Sequence, residues 1–408
     1  MLYRKVEQMI PVSCRISTLK TSPASILAKH AKELRAKGRD IVLLSSGELD
    51  FPTPPHVIDA ANRAAFAVPV GYTNIDGSPE LKEAIRGKFA RENGLHCDLD
   101  QIIVCNGSKQ VMFNAFMATV TAVDEVIIPA PYWASYLDLA VFAQAKPVIV
   151  ETSRTSNWKL TSESLERAIT PHTRWLIINN PVNPTGDVYC AAELESLAAV
   201  LRRHPNVLVM SDDLYEHIIF DGVSFATMAS AAPDMAQRTL TVNGVSKAYA
   251  MMGWRIGYGV GPAALIANMV KVQSQSTSNA STVSQAAAEA ALTGPQEEVA
   301  RRRSILAGVR DKVVQTVSTI PGLSVRSPAG TFYAYISCEK FLRSSVAQAK
   351  GLFTDRDVAR FLLDEAGVVV LPGEDCGLSP FFRINFAGEA STLDDGIVRI
   401  RTAICDLG

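Results

Sequence analysis

The chain has 408 residues, 48% of them hydrophobic, and a formal net charge of −1. That is enough apolar sequence for a large core, and the length suggests about two to three domains, one of them a large α/β unit. A near-zero net charge excludes a global field aimed at nucleic acid or an anionic membrane surface, and seven scattered cysteines without C-x-x-C pairs read as reduced thiols, with neither a disulfide framework nor a metal site expected.

The opening "MLYRKVEQMIPVSCRIS" is basic but has no apolar run of secretory length. No later segment reaches the length of a membrane span, so a cytoplasmic location is expected, without membrane or nucleic-acid partners. Residues 26–38, "ILAKHAKELRAKG", predict an amphipathic helix closed by Gly38. "DIVLLSSG" predicts a buried strand running into a loop. "PPHVIDAANRAAF" predicts a helix opened by prolines, and "SPELKEAIRGKFARENG" another, capped by Ser78 with Pro79 in the first helical position.

From residue 101 the pattern alternates. Strands are predicted at "QIIVCNG", "DEVIIPAP", "KPVIVET", "TRWLIINNP", "NVLVMSDDLY" and "RTLTVNGVSKAYAM", the last leaving through a loop. Helices at "KQVMFNAFMATV", "PYWASYLDLAVFAQA", "TSESLERAIT" and "AAELESLAAVLRRH" separate all but the last pair. Short continuous apolar strands between helices predict a mostly parallel sheet covered on both faces. After residue 300 a long helix leads into "LSVRSPAGTFYAYI", "DVARFLLDEAGVVVLPG" and "PFFRINFA", the texture of a smaller α+β domain. The expected division is a large domain over 48–299 and a small one made of 1–47 and 300–408.

Ligands in such sheets bind beyond the carboxyl ends of the strands, and polar residues cluster there. "VCNGSKQ" brings Gly107 and Ser108 to a helix start, where free N–H groups and a hydroxyl suit a phosphate; read alone, it fits an ordinary strand-to-helix turn at least as well. "NNPVNPTGDVY" pins a rigid turn that presents Asn183. "SDDLY" puts Asp212 and Tyr215 at a strand end, where the carboxylate is either solvated or paired with a ligand cation. Lys247 of "NGVSKAYAMMGWRIGY" sits in a run of small and apolar residues, with Arg255 eight positions on. Alone, Lys247 reads as a surface lysine whose stem covers apolar neighbours. Together, a phosphate cradle, a carboxylate, a phenol, an amide and a lysine meet the demands of pyridoxal 5′-phosphate.

From "GELDFPTPPHV" through "NPTG", "SDDLYEH" and "SKAYAMMGWRIGY" to "FFRINFA", the chain resembles the class I, type I fold pyridoxal-phosphate-dependent aminotransferases, and within them the bacterial aspartate aminotransferase subgroup. The resemblance covers nearly the whole chain. It implies the type I fold and a homodimer with shared active sites. It implies that Lys247 anchors the cofactor, that Asp212 pairs with its ring nitrogen, and that Tyr215 and Asn183 bond its ring oxygen. Gly107, Ser108, Lys109, Ser246 and Arg255 would surround the phosphate, joined by Tyr72 from a partner subunit, while Trp133 would stack on the ring. Arg383, with Asn183 and Gly47, would grip the substrate α-carboxylate. The implied reaction moves an amino group from an L-amino acid to a 2-oxo acid such as 2-oxoglutarate by a ping-pong mechanism.

Lysines at Lys20 and Lys109 are those that the subgroup places near a substrate's side-chain carboxylate, which favours an aspartate-like donor. The chain departs from the family pattern at Leu49, where proline is usual, and at "PGEDCG", where Glu374 and Asp375 would repel an acidic side chain if they faced it. The alternatives are another donor (aromatic or prephenate-like), another reaction on the same fold, such as decarboxylation, β-elimination or oxidation, and a non-catalytic amino-acid-binding regulator. Retention of Tyr72, Trp133 and Asn183 favours transamination; an intact Lys247 and the lack of a fused DNA-binding module argue against the regulator. No G-x-G-x-x-G follows an early strand, which argues against a dinucleotide enzyme.

Overall fold

A computed structural model describes residues 12–19, 23–67 and 70–407. The first strand, β1 (Val42–Leu43), stands apart from the main sheet. The next seven are β2 (Ile102–Cys105), β3 (Glu125–Ala130), β4 (Lys146–Glu151), β5 (Thr173–Asn179), β6 (Leu208–Asp212), β7 (Thr239–Gly244) and β8 (Gly257–Val260). They form one sheet in the order β2-β8-β7-β6-β5-β3-β4, in which only β8 runs against the rest.

Side-chain alternation explains why these apolar runs become central strands. On β5, Trp175 and Ile177 pack on one face with Val111, Met112 and Phe116 of the helix Ser108–Thr119. Leu176 and Ile178 pack on the other with Leu194, Leu197 and Ala198 of the helix Ala191–Leu201. The period of two sends neighbours to opposite faces, and both faces are apolar because helices cover both. Each such buried side chain contributes about 1.5–3 kcal/mol.

The prediction of a mostly parallel, doubly covered sheet is borne out; one strand was not foreseen. "GYGV" carries two glycines, which weaken the strand signal, yet it inserts as β8 between β2 and β7. The "DIVLLSSG" strand shrinks to the two residues of β1 because its partner, β11 (Val368–Val369), is equally short; β9 (Ser324–Val325) and β10 (Tyr333–Ser337) precede that partner in the chain. With β12 (Leu371–Pro372) and β13 (Phe381–Asn385), the strands β9 and β10 make a second, antiparallel sheet in the order β12-β13-β10-β9. The helices Glu297–Val317, Asp355–Ala366 and Ala390–Cys405 pack on it through Leu306, Val313, Leu362 and Ile397. Among the described residues, no helix is long and apolar enough to cross a membrane.

Candidate active site

The carboxyl ends of β5, β6 and β7 and the turn after β2 border a cleft of about 270 Å³. At one corner, Asn106 and Gly107 turn β2 into the helix Ser108–Thr119. Gly107 has φ +89°, a conformation open to glycine, and a Cβ there would overlap the Arg255 guanidinium. A Cβ on Gly257 of β8 would overlap the Ser108 backbone nitrogen. The glycines of the unforeseen strand thus let the backbone come this close. Arg255 donates to the carbonyl of Met252 at 2.7 Å, and Ser108 and Ser246 line the same part of the cleft. A helix N-terminus, two hydroxyls and a guanidinium make this corner suited to a phosphate dianion.

At the floor, β6 ends in Asp212, which is buried and accepts a hydrogen bond from the Tyr136 phenol. Burial raises the Asp212 carboxyl to about 6, while the Tyr136 bond and the Lys247 charge pull it down. A cation placed against it would favour the carboxylate further. Lys247 Nζ donates to the Gly47 carbonyl at 2.6 Å and lies 5.6 Å from the centre of the Phe332 ring. The Tyr215 hydroxyl lies 3.1 Å from that of Tyr333. Asn179 works as a splint: its amide donates to the Asp212 carbonyl at 2.9 Å and its oxygen accepts from the Asn183 N–H at 2.7 Å. The neighbouring Asp213 differs from Asp212. It accepts from the Ser211 hydroxyl at 2.8 Å, while its Oδ2 is buried with no hydrogen-bond partner among the described residues. Burial raises its carboxyl to about 8.

Behind this floor, the fully buried Lys88 ammonium binds Glu216, whose carboxylate also accepts from Asn243 and Asn93 at 2.7 Å each. The network fixes the loop carrying Tyr215. Among the described residues, Glu92, Glu216 and His217 are the one group spaced to hold a metal ion, and the Lys88 ammonium already lies against its carboxylates.

At the mouth, Arg383 of β13 donates to Asn183 Oδ1 and to the Ser45 carbonyl, both at 2.9 Å. Its Nε is buried without a hydrogen-bond partner among the described residues, a donor left for a ligand anion. Lys109 Nζ lies 4.8 Å from the Trp133 ring centre, and partial burial lowers its pKa.

The cleft brings together Gly47, Ser108, Lys109, Trp133, Asn183 and Asp212 from the sequence-predicted set, along with Tyr215, Ser246, Lys247, Arg255 and Arg383. Gly107 lies just behind its wall against Arg255. Lys20 lies outside the described residues. Tyr72 is 92% exposed and does not line the cleft of its own chain. Glu374 turns outward to Arg356 at 3.1 Å, and Cys376 is buried, its carbonyl accepting from the Tyr132 N–H at 2.9 Å. Leu49 is a core residue, not a cleft residue. Sequence reasoning missed Tyr136, Asn179 and Tyr333. The first two stand inside the quoted motifs "PYWASY" and "NNPVNPTG", and that proximity was the available signal.

The family described as Aminotransferase class I and II matches residues 39–400. An aspartate aminotransferase of Rhizobium meliloti (strain 1021) is 47% identical over 392 residues, covering 96% of this chain and 95% of its own. A probable aspartate/prephenate aminotransferase of Rickettsia bellii is 46% identical over 392 residues, covering 96% of this chain and 98% of its own. The crystal structure of an aspartate aminotransferase from Rhizobium meliloti superposes with a TM-score of 0.95 at 46% identity, covering 97% of this chain and 99% of that one.

Proposed function

This chain belongs to the class I and II aminotransferases and is an aminotransferase, and from that premise we propose that its cleft holds pyridoxal 5′-phosphate on Lys247 and takes an amino group from a dicarboxylic L-amino acid, aspartate foremost. One observation carries the reading. The cleft is lined by four cations, Lys109, Lys247, Arg255 and Arg383, against the single carboxylate of Asp212. That surplus matches one phosphate and two substrate carboxylates.

The residues present fit the cofactor: Ser108, Ser246 and Arg255 line the cleft at a helix start, and the glycines at Gly107 and Gly257 let Arg255 and the Ser108 amide pack closely there. When bound, pyridoxal phosphate supplies an aldehyde carbon and a ring that accepts the electron pair left by breaking the substrate Cα–H bond. Asp212 holds a proton on the ring nitrogen. Asn183 and Tyr215 donate to the ring oxygen, and Trp133 covers the ring face. Ser108, Ser246 and Arg255 grip the phosphate together with Gly107 and Tyr72 of a second copy, so the working unit is a homodimer. Lys247 would hold the cofactor through its Nζ, and that amine, once free, would serve as the base that takes the proton from the substrate Cα and returns it to the product side of the site. Arg383 and Asn183 hold the α-carboxylate; the paired N–H groups of arginine fix its orientation as lysine would not. Lys109 faces the distal carboxylate, with Lys20 assigned alongside it. A 2-oxo acid such as 2-oxoglutarate then runs the steps in reverse, giving ping-pong kinetics. The dicarboxylate prephenate satisfies the same charge pattern. The cytoplasm is the proposed location, and the 48–299 and 1–47 with 300–408 division is the proposed domain organisation, supported by β1 pairing with β11.

Lys109→Ala tests the donor. A charge-assisted bond of about 1.5–3 kcal/mol predicts a fall of roughly 10- to 100-fold in kcat/KM for aspartate, with alanine and phenylalanine little affected. An equal fall for all donors would contradict the distal-carboxylate role.

A further inference from the structure

Tyr333 opens β10 and is 2% exposed. A residue needed only to fill this space could be a phenylalanine, as Phe332 is next to it. The hydroxyl instead lies 3.1 Å from that of Tyr215, its one hydrogen-bond partner among the described residues. The same ring lies under the Arg383 guanidinium, 4.0 Å from its Cζ to the ring centre. The register explains the stacking: Tyr333 pairs with Asn385, so Arg383, two residues earlier on β13, is a diagonal neighbour on the same face. Just upstream, Thr331 has φ +64°, an outlier for a β-branched residue. It is held there by its N–H on the Ile218 carbonyl at 2.9 Å, and the preceding Gly330 N–H donates to the Gly186 carbonyl at 2.8 Å.

We propose that Tyr333 is a positioning residue that ties the two ends of the site together: its hydroxyl donates to the Tyr215 hydroxyl, and its ring face seats the Arg383 guanidinium. The inference rests on the cofactor reading above. A phenol has one proton. If Tyr215 spent it on Tyr333, none would remain for the cofactor's ring oxygen. Donation in the other direction frees the Tyr215 proton and polarises its O–H, making it the stronger donor. One side chain then serves the cofactor with its tip and the substrate carboxylate with its face.

The test uses holoenzyme of wild type, Tyr333→Phe and Tyr333→Leu, with two readouts other than turnover. One is the pH midpoint of the visible cofactor spectrum. The other is spectroscopic titration with maleate, a dicarboxylate with no amino group to transfer. A ring oxygen with a weaker donor keeps more negative charge and holds the neighbouring proton more tightly. Tyr333→Phe therefore raises the midpoint by roughly half a unit and leaves maleate affinity within about twofold, because the ring is retained. Tyr333→Leu also weakens maleate, by roughly tenfold. An unmoved midpoint in a normally loaded Tyr333→Phe overturns the hydroxyl role. Equal maleate loss in both variants, or none in Tyr333→Leu, overturns the seating role. Should the leucine variant not fold, Tyr333→Phe decides alone, since a maleate loss there also counts against the ring. A wild type that takes up no pyridoxal phosphate sinks the functional reading itself, whereas a wild type that loads normally beside an unmoved variant sinks this proposal only.

Discussion

Asp212 and Asp213 are adjacent and both buried, yet they are employed differently. Asp212 faces the cleft with a phenol and an ammonium to favour its charge; Asp213 faces Ser211 and Thr227, with no cation among the causes of its shift. Burial raises the Asp213 carboxyl to about 8. The unfolded chain releases this proton near pH 4, so the native state binds more protons between the two values. The contribution of Asp213 to native stability therefore falls as pH rises from about 4 to about 8. Asp213→Asn, which removes the charge, is expected to be more stable than wild type at pH 8 by at least ~1 kcal/mol, seen as a higher melting temperature, and to differ little at pH 4; apoprotein melts at both pH values check this. At this scale, polar residues that end apolar strands were legible: Lys247, Asp212 and Asn183 interrupt patterns that packing would otherwise continue. Tyr136 and Tyr333 were not, because an aromatic ring inside an apolar run reads as core until its hydroxyl is seen to have a partner.

The strands β2 and β8 and the helix Ser108–Thr119 form one device. The periodicity of the alternating strands and helices made the parallel sheet legible, because continuous apolar runs have few other places to go. β8 was hidden by the glycines that make it useful, since they weaken the strand pattern while allowing the approach to Ser108. Gly257→Ala would force a methyl group into the Ser108 amide. Overpacking of this kind costs about 1–3 kcal/mol, and the displaced helix start should weaken cofactor binding by roughly tenfold or more. Thermal melting together with titration by pyridoxal phosphate checks both. Unchanged cofactor affinity would mean that the Ser108 amide has no part in the phosphate site.

For the whole molecule, the proposed homodimer is the feature to test. Tyr72 is 92% exposed, Phe66 85%, and Val70 is also exposed, apolar surface of the kind that assembly covers. Near-neutral composition carried no trace of this, since assembly depends on which residues the fold leaves outside. If Tyr72 completes a partner's site, Tyr72→Ala and Lys247→Ala are each impaired alone. Mixed under conditions of subunit exchange, they regain activity, because each heterodimer has one intact site; random exchange gives roughly a quarter of wild-type activity. No recovery in confirmed heterodimers would place Tyr72 outside the site.

The proposed function turns on whether Lys247 and the cleft around it transaminate amino acids on pyridoxal phosphate. The most direct measurement is the visible absorption spectrum of the purified protein loaded with cofactor, before and after L-aspartate is added without a 2-oxo acid. If the proposal holds, a visible band disappears on addition, one oxaloacetate is released per site, and 2-oxoglutarate restores the band. A protein that forms no such band with added pyridoxal phosphate, or a band that no amino acid discharges, would contradict it.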